Sequence, residues 1–157
     1  MNLDDLRTIL VATDFSESSA NALRTAVQLA QKVRASIEVF HVDIDPTVTL
    51  PPPGDVILVP MVFDGILAAG AARLAAAADE VRRAGVVCTT ASELGRTHTA
   101  IVEQARRIGA GLIVLGTHGR HGLSHAILGS VAEKVIQHAP CAVLVVPMAG
   151  EIARAQE

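Results

Sequence analysis

The chain has 157 residues, of which 50% are hydrophobic and 2% aromatic, and its 13 basic and 16 acidic residues give a formal net charge of −3. This length suits a single domain over residues 1–157 with an aliphatic core, and the hydrophobic content excludes a disordered chain. No basic field is present that would hold a polyanion such as DNA, although backbone N–H groups can bind a small anion whatever the net charge.

The N-terminal residues and the cysteines indicate a compartment. Residues 1–5 are acidic and lack the basic start and apolar stretch of a signal peptide, and no apolar run approaches the roughly 18 residues needed to cross a bilayer. Cys88 and Cys141 lie in apolar, strand-like runs and are too few for a disulfide framework or a zinc site. We therefore expect a cytoplasmic protein with two buried thiols in a reducing environment.

Short β-branched runs alternate with stretches of helical periodicity along the chain. Apolar residues recur at helical spacing after a turn in which either Asp14 or Ser16 can cap the first helix. The pattern predicts strands at 8–12, 36–42, 86–90, 112–115 and 142–146, and helices ending near 33 and spanning about 63–84, 97–108 and 130–138.

No helix or strand is predicted with certainty of type for two segments, residues 43–60 and 148–157. Prolines and turn residues between 43 and 60 predict a flexible loop, in which the apolar run 56–59 is either a short edge strand or a flap over the core. Residues 148–157 are interpreted as a loose tail.

The end of the predicted helix 63–84 is well marked, because Gly85 is placed to end it in a left-handed conformation. The buried side of that helix is predicted to carry Ile66, Gly70, Leu74, Ala77 and Val81.

The alternation predicts an α/β fold. It favours a doubly wound, five-stranded parallel sheet of order 3-2-1-4-5 with helices on both faces. Such sheets bind ligands beyond the carboxyl ends of their strands, where the strand order reverses. Two polar segments follow strands there, residues 12–16 after the first strand and residues 116–119 after the fourth. They meet only if those two strands are neighbours.

The second of these segments contains a glycine pattern. Gly116 and Gly119 are separated by two residues, Gly119 and Gly129 by nine, and Ser130 follows at once at the start of a predicted helix. Free N–H groups and the helix dipole favour an anion at such a place. A capping box formed by residues 130–133 would explain Ser130 equally well. The P-loop and dinucleotide-binding fingerprints are absent.

This stretch, 116–133, closely resembles the ATP-binding branch of the universal stress protein family. That branch carries Gly-x-x-Gly, nine residues and then Gly-Ser or Gly-Thr, and all four positions match here. Residues 9–16 resemble the family's first strand and turn, and residues 140–147 its last strand. The resemblance covers most of the chain apart from the 43–60 loop and the tail.

The resemblance implies a role for each matching position. Asp14 would approach the ribose, the phosphates or a metal held by them, besides any part in helix capping. Val42 would offer backbone groups to the adenine edge. The other positions would line the adenosine side (Ala12, Thr13), the base and ribose (Leu115, Gly116) and the phosphates (Gly119, Gly129, Ser130, Val131).

Charged residues of the loop add little to this interpretation. Arg120 either reaches a phosphate oxygen or is a solvated loop residue. His118, His121 and His125 lack diagnostic metal-ligand spacing, and we interpret them as partly exposed loop residues rather than as a metal site. Any Mg²⁺ would be held mainly by the phosphates of the nucleotide.

The resemblance implies an ATP-binding stress or regulatory protein whose nucleotide state modulates a protein partner. No lysine lies between Gly116 and Ser130, so an efficient phosphoryl-transfer enzyme is not expected. A slow Mg²⁺-dependent ATPase or nucleotide transferase remains an alternative, as does a nucleotide-free dimer, although the intact glycines argue against the latter. An apolar fifth strand at a sheet edge and the resemblance together imply a homodimer through the C-terminal strand.

Overall fold

The computed structural model describes residues 6–43, 59–117 and 128–148, and for residues 59–63 it describes the backbone only. Strands and helices alternate along these residues. The elements are β1 (Thr8–Thr13), α1 (Glu17–Val33), β2 (Ser36–Asp43), α2 (Val59–Arg83), β3 (Cys88–Leu94), α3 (Thr97–Arg107), β4 (Leu112–Gly116), α4 (Ser130–His138) and β5 (Ala142–Val146).

The strands form one parallel sheet of order β3-β2-β1-β4-β5, which confirms the predicted fold class and strand order. β1 lies at the centre, where Ile9 pairs with both Ile37 of β2 and Leu112 of β4. The central residues of β1 are buried on both faces, as an apolar run without alternation predicts for a parallel strand.

The core is divided by the sheet into two layers. Successive side chains of a strand point to opposite faces. Ile9 and Val11 of β1 therefore join a cluster with α1 and α2, whereas Leu10 and Ala12 join a cluster with α3 and α4. This division decides which residues can approach each side of the carboxyl edge.

The predicted buried side of α2 is partly wrong. Leu74 and Val81 are buried, but Ile66 is 50% exposed. Gly70 already lies beside Asp43, the last residue of β2, because a Cβ on Gly70 would stand 3.2 Å from the Asp43 carboxylate. Residues before Gly70 therefore extend past the carboxyl end of that strand, where no sheet covers them. The undecided run 56–59 falls mainly outside the described residues, and Val59 begins α2.

Strand β3 also begins later than predicted. Gly85 has φ +79° and donates its N–H to Arg82, and the N–H of Val86 bonds to Val81, so these residues close the end of α2. Val87 is 73% exposed, and pairing with β2 begins at Cys88. Val86 is thus used to close α2, and Val87, whose carbonyl accepts the N–H of Ile37 at 2.9 Å, leads into the strand.

The two cysteines differ in burial. Cys88 is buried and Cys141 partly buried, both are free, and burial raises the pKa of each thiol above its ordinary value. Both side chains are therefore protonated near neutral pH and poorly nucleophilic.

Within the described part of the chain, no helix is long and apolar enough to cross a membrane.

Gly116, the last residue of β4, is required for close packing of α1 on the sheet. A Cβ at this position would overlap the hydroxyl of Ser18 and stand 2.9 Å from the Ser18 carbonyl carbon. Backbone this close cannot move aside without displacing the first turn of α1. A glycine that reads as a loop residue in the sequence therefore fixes the approach of a helix to the sheet.

We predict that Gly116→Ala lowers the free energy of unfolding by about 1–3 kcal/mol, because the added methyl group overpacks this contact. Gly65→Ala is the matched control, since Gly65 lies in α2 with nothing within 4 Å of an added Cβ. That change should stabilise the helix by about 0.5–1 kcal/mol. Urea unfolding followed by circular dichroism measures both, and wild-type stability in Gly116→Ala would contradict the packing argument.

Candidate functional site

The carboxyl ends of β1, β2 and β4 lie side by side. Thr13 pairs with His41 of β2, and Val11 pairs with Val114 of β4. Continuing the second register by two residues sets Thr13 beside Gly116. The two polar segments that follow β1 and β4 are therefore neighbours, as the predicted strand order requires, and the crevice between them is where open α/β sheets bind ligands.

The start of α4 is tied to the end of β4. Gly129 donates its N–H to the carbonyl of Thr117 at 2.8 Å, and Thr117 donates its N–H to the carbonyl of Val146 at 3.1 Å. These two bonds bring the first and last residues of the glycine-rich segment together. The N-terminus of α4 consequently lies at the carboxyl edge of the sheet, close to Gly116.

Among the residues that the structure describes, no side chain caps the N-terminus of α4. Gly129 is the N-cap residue, in an extended conformation, and Ser130 is the first helical residue. The capping-box explanation of Ser130 is therefore wrong, because the box needs Ser130 at the N-cap position. The first N–H groups of a helix lack intrahelical partners and carry the positive end of the dipole. An anion at this place would meet both.

Asp14 and Ser16 have different roles at the start of α1. Ser16 is the N-cap, and its hydroxyl accepts the N–H of Ser19 at 3.2 Å. Asp14 Oδ1 accepts from the Ser16 N–H at 3.1 Å and from the Ser16 hydroxyl at 2.6 Å. The sequence left open which residue caps the helix. The structure shows that Ser16 does so, while Asp14 orients the capping residue.

The charge of Asp14 is stabilised locally. Burial of this half-buried group raises its pKa, but hydrogen bonds from the Ser16 side chain and backbone, with a further contribution from Ser19, outweigh burial and leave the pKa below its ordinary value of 3.8. Asp14 is therefore a carboxylate at neutral pH, at the positive end of α1. The crevice thus has a fixed negative group on the β1 side and an uncapped helix terminus on the β4 side.

The other predicted site residues differ in what they can present. The side chains of Ala12, Val42 and Leu115 are 9%, 7% and 4% exposed and belong to the core under α3 and α4. They can therefore offer a ligand only their backbone groups. Ser130 and Val131 are exposed at the start of α4. Gly119 and Arg120 lie outside the described residues, as do His118, His121 and His125.

Three residues next to the crevice were not singled out from the sequence. Phe15 follows Asp14 directly, and His41 and Asp43 lie at the carboxyl end of β2 with only 8% of each exposed. The one available signal was the pair of polar residues, two positions apart, at the carboxyl end of β2. Such spacing places both on one face, but it does not reveal their partners.

The sequence model of the Universal stress protein family matches residues 5–147. The chain belongs to this family. The match includes β1, both polar segments and β5, and so spans every element that borders the crevice.

Individual proteins match this chain over nearly their whole length. The universal stress protein YxiE of Bacillus subtilis (strain 168) is 34% identical over 143 residues, covering 88% of this chain and 97% of the relative. The structure of the hypothetical protein MJ0577 superposes with a TM-score of 0.79 at 25% identity, covering 90% of this chain and 96% of the other. A universal stress protein in complex with cAMP superposes with a TM-score of 0.65 at 26% identity, covering 92% and 98%.

The lowered pKa of Asp14 predicts a specific pH dependence of stability. A carboxyl with a depressed folded-state pKa stabilises the fold above its ordinary value of 3.8, and this contribution is lost as the pH falls through the lower folded-state pKa. Asp14→Asn keeps an oxygen that can accept from Ser16 but removes the charge. The difference in unfolding free energy between wild type and Asp14→Asn should therefore be largest near neutral pH and shrink in acid.

Urea unfolding of both proteins at a series of pH values from about 7 to about 3 measures this difference. A difference that stays constant over the whole range would show that the Asp14 carboxylate is not stabilised by its hydrogen bonds.

Proposed function

We propose that this universal stress protein binds ATP in the crevice between the Asp14 turn and the N-terminus of α4. The observation that carries the proposal is the uncapped start of α4, held beside Gly116 by the bond from Gly129 to Thr117. Backbone N–H groups at such a terminus are suited to phosphate oxygens. The complex of a related universal stress protein with cAMP supports an adenine nucleotide as the ligand.

In this proposal the phosphates accept from the N–H groups of Ser130 and Val131 and from the Ser130 hydroxyl. The family motif assigns Gly119 to the same phosphates, whereas Arg120, which is not a motif position, either reaches a phosphate oxygen or is solvated. Asp14 would bind the ribose or a Mg²⁺ ion carried by the phosphates, because a carboxylate is a preferred ligand of that ion. Backbone groups of the remaining predicted residues would border the adenosine, namely those of Ala12, Thr13, Val42, Leu115 and Gly116.

The proposed role is regulatory, with the nucleotide state modulating a protein partner. Phosphoryl transfer requires cationic groups around the transferred phosphate, and the segment from Gly116 to Ser130 contains no lysine. We therefore propose a regulatory role rather than efficient catalysis.

The free thiols of Cys88 and Cys141 suit a reducing compartment, and on that ground we propose that the protein is cytoplasmic.

We predict that Ser130→Ala weakens ATP binding about tenfold or more, because a hydrogen bond to a charged group contributes about 1.5–3 kcal/mol. The wild-type protein, stripped of co-purified nucleotide, should bind ATP in calorimetric titration with Mg²⁺ present. Unfolding free energy should be unchanged in Ser130→Ala, since Ser130 caps no helix.

Ser16→Ala is the matched control for helix capping. It removes the true N-cap of α1 and should cost about 1 kcal/mol of stability. Equal ATP affinity in wild type and Ser130→Ala would exclude the Ser130 hydroxyl from the site. No binding by folded wild-type protein would refute the proposed function.

We further propose that the protein forms a homodimer through β5. This strand is an edge of the sheet, and the side chains of residues 142–145 are only partly buried although all are apolar. Ile136 of the adjacent α4 is 48% exposed. An apolar edge strand with unpaired backbone groups favours pairing with another chain, and a second copy would cover it.

Val145→Lys should yield monomers, because a charged side chain on an edge strand opposes strand pairing and burial. Light scattering coupled to size exclusion measures the mass. Val87→Lys is the control, since Val87 is 73% exposed next to the opposite edge strand, and it should leave the dimer intact. A dimer mass for Val145→Lys would contradict the proposed interface.

A further inference from the structure

The turn that carries Asp14 adopts an unfavourable backbone conformation. Phe15 has φ +63°, in the left-handed region that residues with a side chain rarely adopt. The other non-glycine residue with positive φ in the described ranges, Arg34, ends α1, where this conformation is common. Phe15 ends no helix. Its conformation therefore depends on contacts from the surrounding structure.

Those contacts come from hydrogen bonds and from two side chains. The N–H of Phe15 donates to Thr13 Oγ1 at 3.0 Å, and that hydroxyl donates to Ser19 Oγ at 3.1 Å. The Phe15 ring lies 4.4 Å from the His41 ring, centroid to centroid, and the Arg73 guanidinium carbon lies 5.5 Å from the Phe15 ring centroid. Of the two side chains that contact the Phe15 ring, His41 is buried and Arg73 is exposed.

Contacts at both ring nitrogens fix the position of His41. Nδ1 lies 2.7 Å from the Thr13 carbonyl oxygen, which can only accept, so Nδ1 carries a proton and donates it. Nε2 lies 3.4 Å from Asp43 Oδ1, and because Nδ1 already carries a proton, Nε2 can donate to this carboxylate only in the doubly protonated imidazolium. Asp43 is in turn backed by Gly70, where a Cβ would stand 3.2 Å from the same oxygen. The imidazole is thus fixed between Asp43 on one side and the turn on the other.

His41 contacts the residues on both sides of Asp14 but lies on the other face of the sheet from α4. It holds the carbonyl of Thr13 and packs on the ring of Phe15. It also shares the face of β2 with Val39, which packs with α1 and α2, whereas α4 packs on the opposite face. His41 can therefore act on a ligand of the crevice through the turn.

We propose that His41, fixed by Asp43, is a positioning residue that holds the Thr13–Ser16 turn in its left-handed form and so presents the Asp14 carboxylate to the ligand. The part of this inference that concerns the ligand rests on the proposed ATP binding. The part that concerns the turn does not, and the two are measured separately.

Two variants separate the contacts of His41. His41→Phe keeps a ring against Phe15 but loses both polar contacts. His41→Asn keeps a donor where Nδ1 stands but loses both the ring packing on Phe15 and the contact to Asp43. We expect His41→Phe to weaken ATP binding about tenfold, as loss of a hydrogen bond predicts, and His41→Asn to recover most of it. Val39→Ala is the control, because it removes buried volume two residues earlier on the same face and should leave ATP affinity unchanged.

The conformation of the turn is measured by NMR without a ligand. A left-handed residue brings its own amide and α protons close together, so Phe15 should show a strong intraresidue cross-peak in wild type and in His41→Asn. The peak should weaken in His41→Phe, together with the protection of the Phe15 amide from hydrogen exchange.

Loss of this signature in His41→Phe supports the positioning role, even if the wild-type protein binds no ATP and the proposed function fails. An unchanged Phe15 signature in folded His41→Phe overturns the inference, whatever happens to the affinity. Weakened ATP binding in Val39→Ala to the same degree would also overturn it, since the effect would then follow from lost stability alone.

Discussion

Pairing of β1 with both β2 and β4 is the constraint on which the rest of the structure depends. Because β1 is central, the segments that follow β1 and β4 emerge as neighbours although they are separated by about 100 residues of chain. Parallel pairing also places the start of every following helix at the same edge of the sheet. The Asp14 turn and the uncapped start of α4 therefore face one crevice as a consequence of strand order.

The crevice combines opposite electrostatic features on its two sides. Hydrogen bonds from Ser16 stabilise the ionised form of Asp14, whereas the first N–H groups of α4 offer a positive terminus. A ligand with an anionic end and a polar, hydroxyl-bearing body would meet both sides, and a nucleotide has this form.

Strand order, fold class and the approximate positions of the elements could be predicted because they depend on local periodicity and on the rules of parallel sheets. The start of β3 could not, since Val86 has a strand-forming side chain but is used to close α2. Ser130 and Ser16 both fit a capping pattern, and only the geometry shows that Ser16 caps and Ser130 does not. His41 was missed because its partner Thr13 is 28 positions away and is contacted through a backbone carbonyl.

The central claim is that the ends of the glycine-rich segment and the Asp14 turn form one nucleotide site, and titration of ATP followed by amide NMR shifts tests it most directly. The account predicts the largest shifts at Ser16, Gly116, Ser130 and Val131, and none at the opposite end of the sheet around Ala35 and Gly85. Shifts confined to the opposite end, or to one of the two segments alone, would contradict it.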